Sequence, residues 1–194
     1  MTITATRYAR RHSLVIDSRL CRRYATVRAY GINGVNEMTN MTPTDVIHAI
    51  TTTYSGLVPK QSWGETSLFY NPDTTLTNGV YFCTIKEHDG ANDMASQLNR
   101  LDIFRLSFGL PTTHYERLFG VRPPRPSKGG CVATGHDFTV TDILQPHPIY
   151  AWMGWVQVLS PSTTTFTTLQ PLLSIAYEYT THKYTNRTKR NISK

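Results

Sequence analysis

Thr66-Ser67-Leu68-Phe69-Tyr70-Asn71-Pro72-Asp73-Thr74-Thr75-Leu76-Thr77-Asn78-Gly79-Val80-Tyr81-Phe82-Cys83-Thr84-Ile85-Lys86 is the stretch that decides the fold. Two runs rich in aromatic and β-branched residues, Thr66–Tyr70 and Gly79–Lys86, flank the turn formers Asn71-Pro72-Asp73 and Asn78-Gly79. Strands joined by so short a connection pair antiparallel, because a parallel pair needs a crossover of a dozen or more residues. The sheet is therefore predicted to be built from hairpins.

Downstream, Ile103–Phe108 alternates, with Phe104, Leu106 and Phe108 on one face and Arg105 and Ser107 on the other, as expected of a half-buried strand. Thr113-His114-Tyr115-Glu116 has the spacing of a capping box opening a short helix that ends at Gly120. Residues 121–136 hold three prolines and three glycines and read as a long loop. Trp152–Leu159 is the next strand, with Trp155 as a core anchor. It feeds a C-terminal helix from about Ser162 with an apolar stripe of Phe166, Leu169, Leu172, Leu173, Ala176 and Tyr177. Pro171 predicts a kink or restart in that helix, and from about Thr181 the polar, basic chain is expected to fray. Upstream, Thr42-Pro43-Thr44-Asp45 supplies an N-cap, a proline at the first helical position and an acid at N3, ahead of Val46, Ile47, Ile50 and Tyr54 on one face. Helices and strands in this order, without repeated βαβ units, predict an α+β domain over residues 38–182. Its antiparallel sheet should carry the N- and C-terminal helices on one face.

The net charge of +7 is unevenly placed. Residues 1–37 carry seven arginines against Asp17 and Glu37, and residues 183–194 five cations and no acid. The body between them is −3. Such a distribution assigns weak nucleic-acid affinity to the tails and none to the body. Residues 1–37 have the composition of a transit peptide, or lie upstream of the true start at Met38 or Met41; both readings place them outside the fold. Cys21, Cys83 and Cys131 are too few and too scattered for a disulfide framework. The apolar runs fall well short of the roughly 18 residues that span a bilayer. The expectation is a soluble intracellular protein without membrane partners, cytoplasmic by default and mitochondrial or otherwise organellar if the leader is a transit peptide.

Several spaced blocks carry a family resemblance: Ser96-x-Leu98-x-Arg100 leading into Phe104-Arg105-Leu106, Tyr115-x-x-Leu118-Phe119-Gly120, Asp142, Pro146-His147-Pro148-x-Tyr150, and Gly154-Trp155-Val156-x-Val158-Leu159-x-Pro161-Ser162. In these the body resembles the uncharacterised domain of unknown function 6194, from about Thr42 to Tyr177. The order of elements also looks like the MmcQ/YjbR-like fold, a likeness of architecture that carries no function.

No Gly-rich phosphate cradle, nucleophile elbow or paired Cys/His metal spacing occurs, so neither cofactor nor metal is expected. His147, held between Pro146 and Pro148, is the residue most suited to chemistry near neutral pH. Arg100, Arg105, His147 and Tyr150 form the candidate ligand-binding set, where the Pro146–Tyr150 segment meets the strand bearing Arg105. The leading expectation is a non-enzymatic module binding a small molecule or a protein. The alternative is a hydrolase-like enzyme in which Asp142 or Asp137 orients His147. On the structural side, His147 would donate to a backbone carbonyl and Arg105 would pair with Asp102 or Asp142.

Overall fold

The computed structural model describes residues 39–62 and 64–192, which lie within one compact unit, Gly34–Lys194. The expectations for residues 1–37 and for Cys21 fall outside these residues. Among the described residues six strands form one sheet: β1 (Leu57–Ser62), β2 (Glu65–Tyr70), β3 (Val80–Lys86), β4 (Arg105–Gly109), β5 (Gln145–Pro146) and β6 (Trp155–Leu159). Their order is β1-β2-β3-β4-β6-β5, and every neighbouring pair is antiparallel. Three α-helices complete the fold: α1 (Pro43–Thr53), α2 (Thr112–Phe119) and α3 (Thr163–Ile192). This is an α+β architecture.

The predicted hairpin is β2–β3, and its turn is closed by Asn71, whose side chain both donates to Leu76 O (2.6 Å) and accepts from Leu76 N (3.3 Å). Gly79 is obligatory there: its φ is +69°, and a Cβ would come within 2.8 Å of Tyr70 O. The pairing carries one irregularity, since Leu68 faces Cys83 while Phe69 faces Tyr81, which leaves Phe82 as an extra residue on β3.

One face of the sheet carries Leu68, Cys83, Ile85, Leu106, Phe108, Val156 and Val158, all buried in the same cluster as Val46 and Ile50 of α1 and Phe166, Leu169, Leu173 and Ala176 of α3. Each such aliphatic or aromatic side chain contributes about 1.5–3 kcal/mol by leaving water. Tyr54 ties the layers, its ring 5.2 Å from Phe82 on the sheet and 4.9 Å from Tyr177 on α3. The α1 capping box forms as the sequence requires, with Thr42 Oγ1 accepting from Asp45 N and the Asp45 carboxylate accepting from Thr42 N. The starts of α1 and α3 are laced together, Met41 N donating to Pro161 O and Thr163 N to Thr39 O.

Four expectations are corrected. The capping box at Thr113 does not form: α2 begins two residues earlier, behind Pro111, so Thr113 already lies inside the helix and no side chain caps it. The edge strand β1 adds to the expected elements, and it contains Pro59, which an edge position tolerates because its missing N–H can face solvent. Helix α3 neither restarts at Pro171 nor frays at Thr181. Its last turns are held by Tyr184, buried with its ring 5.2 Å from Tyr70. Finally, β4 is buried on both faces: Arg105 is 1% exposed and Ser107 is fully covered.

Candidate functional site

The sheet face opposite the helices is polar, and strand register arranges it in three rows. Glu65, Lys86 and Arg105 lie abreast on β2, β3 and β4. Ser67, Thr84, Ser107 and Gln157 form the next row across β2, β3, β4 and β6. Beyond it stand Phe69 and Tyr81, ring centroids 4.2 Å apart, with Tyr81 meeting Trp155 at 6.3 Å. Trp155 lies over Gly109, where a Cβ would stand 3.1 Å from the indole Nε1. The short hydroxyl side chains between the charged and the aromatic rows are themselves buried, and the strip of sheet they form is here called the trough. Trp155 is half-buried in its wall and is not the helix-facing core anchor its sequence context suggested.

At the charged end, Arg105 reaches the connection between β3 and β4. Its Nη1 donates to Asp93 Oδ1 (2.9 Å), and its Nη2 pairs with Asp93 Oδ2. Lys86 Nζ meets the same Oδ2 at 2.9 Å. Burial on its own would raise the Asp93 pKa, but hydrogen bonds and charge from Arg105, then Lys86, outweigh it and hold the carboxyl far below the usual range. Arg105 Nη1 also donates to Ser96 Oγ (3.3 Å), Ser96 Oγ donates to Gln157 Oε1 (3.0 Å), and Gln157 Nε2 donates to Phe138 O (3.3 Å). Three polar atoms of this face are buried without a partner: Arg105 Nε, Ser107 Oγ and, on β5 beside Gln157, Gln145 Oε1. Leaving such groups unpaired costs about 1–3 kcal/mol each.

The Pro146–Tyr150 segment closes over this cluster. His147 is locked at its backbone, N donating to Trp155 O (3.0 Å) and O accepting from Ala151 N (3.1 Å). Its Nδ1 accepts from the backbone N–H of Ile149 (3.0 Å) and of Tyr150 (3.2 Å). Burial lowers the His147 pKa well below its ordinary value; the Arg105 and Lys86 charges add to this and Asp93 opposes it. The ring is thus neutral, and with Nδ1 accepting, its proton is on Nε2. Nε2 has no hydrogen-bond partner among the described residues. Tyr150, 46% exposed, tilts over His147 with ring centroids 4.9 Å apart. Partial burial, then the charges of Asp93 and Glu65, raise its phenol.

The sequence-predicted candidates separate cleanly. Arg105, His147 and Tyr150 gather at the trough. Arg100 does not: its guanidinium donates to the carbonyls of Gln97, Ser96 and Thr139, stapling one loop to another. Asp137 caps its own turn by accepting from Thr139 N (3.0 Å) and Oγ1 (2.6 Å). Asp142 accepts from Ser162 N at 2.6 Å, at the start of α3. Neither carboxylate orients His147, whose Nδ1 is already taken by backbone. His147 accepts from N–H groups where donation to a carbonyl was expected, and Arg105 pairs with Asp93, not with Asp102 or Asp142. Sequence reading missed Lys86, Asp93, Ser96, Ser107 and Gln157. Lys86 ends an apolar strand, a usable signal, whereas Asp93 and Ser96 sit in an aperiodic connection that offers none.

Among the described residues no group of three or more His, Cys, Asp or Glu side chains is placed to hold a metal ion, and no helix is long and apolar enough to cross a membrane. A shallow depression at the β1–β2 turn, lined by residues such as Gln61, Glu65 and His88, does not reach Arg105 or His147. The model of the Family of unknown function (DUF6194) matches residues 41–189, which contain all six strands, the trough and its overlying segment. The chain belongs to this family. No curated protein and no solved structure matches it. The DUF6194 match also takes in the last turns of α3 that carry Tyr184, so these turns belong to the family's domain.

Proposed function

We propose that this protein is a binding module that takes a small polar molecule in the trough of its sheet. The observation that carries this reading is a face where buried polar atoms stand unpartnered beside exposed aromatic rings. Arg105 Nε and Ser107 Oγ are orphaned at the floor, while Tyr81 is 51% exposed at the wall. A purely structural face would satisfy the first and cover the second. Aromatic walls supply area for a planar or apolar body, and the hydroxyl row and His147 supply orientation. A hydrolytic role for His147 with Asp142 or Asp137 lacks support, since neither acid reaches the ring.

The test is a thermal-shift screen against a broad metabolite panel, run in parallel on Tyr81→Ala and Tyr150→Ala. Both side chains are about half exposed, so these variants should melt close to the wild type. A ligand at one hundred times its Kd stabilises by about 2.7 kcal/mol. At least one compound should raise the wild-type Tm and lose that effect in both variants. A panel without hits, or hits indifferent to both substitutions, would sink the proposal.

A further inference from the structure

We propose that the trough takes an uncharged, planar molecule whose edge both donates and accepts hydrogen bonds, as an amide or a lactam does. This rests on the binding reading above and adds the chemical class of the ligand. Tyr150 marks the place, because its phenol lies within reach of the Asp93, Glu65 and Arg105 charges and of Tyr81. The ring therefore stands across the buried hydroxyl strip, between the charged row and the aromatic one. Its hydroxyl has no partner among the described residues, and exposed side chains of this kind change rotamer within nanoseconds. A turn of this one ring opens the strip and leaves Tyr81 and Trp155 as flat walls. Charge then selects a neutral ligand: Lys86 and Arg105 stand against Asp93 and Glu65, two of each sign. An ion of either sign gains no net attraction there and still gives up its water. Hydrogen bonding selects the edge, since the open groups are of both polarities. Arg105 Nε, buried without a partner, and the Trp155 indole N–H can only donate. Glu65 accepts from Ser67 Oγ through Oε1 alone, which leaves Oε2 as an acceptor. At the β5 end of the row Gln145 Oε1 is a second, fixed as an acceptor because Nε2 donates to Asp137 O at 2.8 Å. The Ser107 hydroxyl serves either polarity. A ligand with acceptors alone, or donors alone, would leave half of these groups unsatisfied.

The experiment uses four probes of one shape: benzamide, acetophenone, benzoate and benzylamine. Each is titrated to millimolar concentration into the full chain labelled with 15N, following the Trp155 indole signal and the backbone amides of Tyr81 and Tyr150. Benzamide should shift these signals saturably and bind about tenfold tighter than either ion, and several-fold tighter than acetophenone, which keeps the carbonyl and lacks the N–H. Ser107→Ala removes a hydroxyl that has no partner in the fold, so it should weaken benzamide without lowering the Tm. Glu65→Gln leaves one positive charge in excess and should move the preference toward benzoate, which keeps the test informative if Ser107→Ala does not fold. Lys86→Met leaves one negative charge in excess and should move it toward benzylamine. An ion or acetophenone matching benzamide on the wild type, no saturable response to benzamide, or a preference indifferent to both charge changes overturns the assignment. Each of these results leaves the binding module standing if the metabolite screen yields a trough ligand. Failure of that screen removes both.

Discussion

His147 shows how a titratable residue is converted into a fixed donor. Two backbone N–H groups occupy Nδ1, and burial keeps the ring neutral, so the ring presents Nε2–H as a donor. This has a measurable consequence for stability. The folded-state pKa lies well below the unfolded value near 6.5, so the unfolded chain takes up a proton first as pH falls. The contribution is complete above pH 6.5 and is lost below it, by at most about 1.4 kcal/mol per pH unit. Asp93 acts in a separate window, since its lowered pKa gives stability present above an unfolded value near 4 and lost as pH falls further. Urea denaturation at pH 7.5 and pH 5 should therefore show a larger acid loss for the wild type than for His147→Asn. Equal losses would mean that His147 is protonated in the fold.

At the scale of elements, the start of α3 explains what Asp142, a candidate partner of His147 by sequence, does in the fold. It is an acid close in sequence to a histidine between prolines, and proximity in sequence was all that linked them. In the fold its φ of +60° turns the carboxylate onto Ser162 N, while Ser162 Oγ accepts from Thr165 N at 3.1 Å. The helix thus has two caps at its positive end. Asp142→Ala should cost about 2 kcal/mol, from a lost cap and a strained left-handed backbone, and Asp142→Asn should recover most of it. Neither variant should change the ligand response of the trough. A binding defect in Asp142→Asn at wild-type stability would restore Asp142 to the site. The hairpin, the α1 cap and the apolar stripe of α3 were legible because each rests on local chemistry and periodicity. The trough was only half legible: Arg105, His147 and Tyr150 stood out by residue type. Their partners Asp93 and Ser96 reach them only through the long-range pairing of β4 with β3 and β6.

At the scale of the whole molecule, the same contrast separates composition from structure at the C-terminus. Residues 183–194 look like a solvated basic tail, yet Lys183 Nζ lies 3.7 Å from the Tyr179 ring centroid and Arg187 Nη1 approaches Gly79 O at 3.5 Å. Tyr184 packs onto Tyr70 at the outer side of the sheet. Deleting residues 182–194 should cost about 2–3 kcal/mol, the worth of one buried aromatic ring and its edge contact, read as a lower urea midpoint. An unchanged midpoint would return these residues to a frayed tail.

The extra residue at Phe82 reaches beyond its local geometry. Because of it, Phe82 and Cys83 both serve the helix side, while Tyr81 is released to the opposite wall. Removing one residue there would slip Tyr81 toward the helices and break both faces at once. With the bulge in place, the two sides of the sheet answer to different demands. Exchanges along Phe69, Tyr81 and Trp155 can retune what is held without asking α1 or α3 to move. Members of this family that keep the helix side and differ along that wall should therefore have diverged in what they recognise while remaining the same fold.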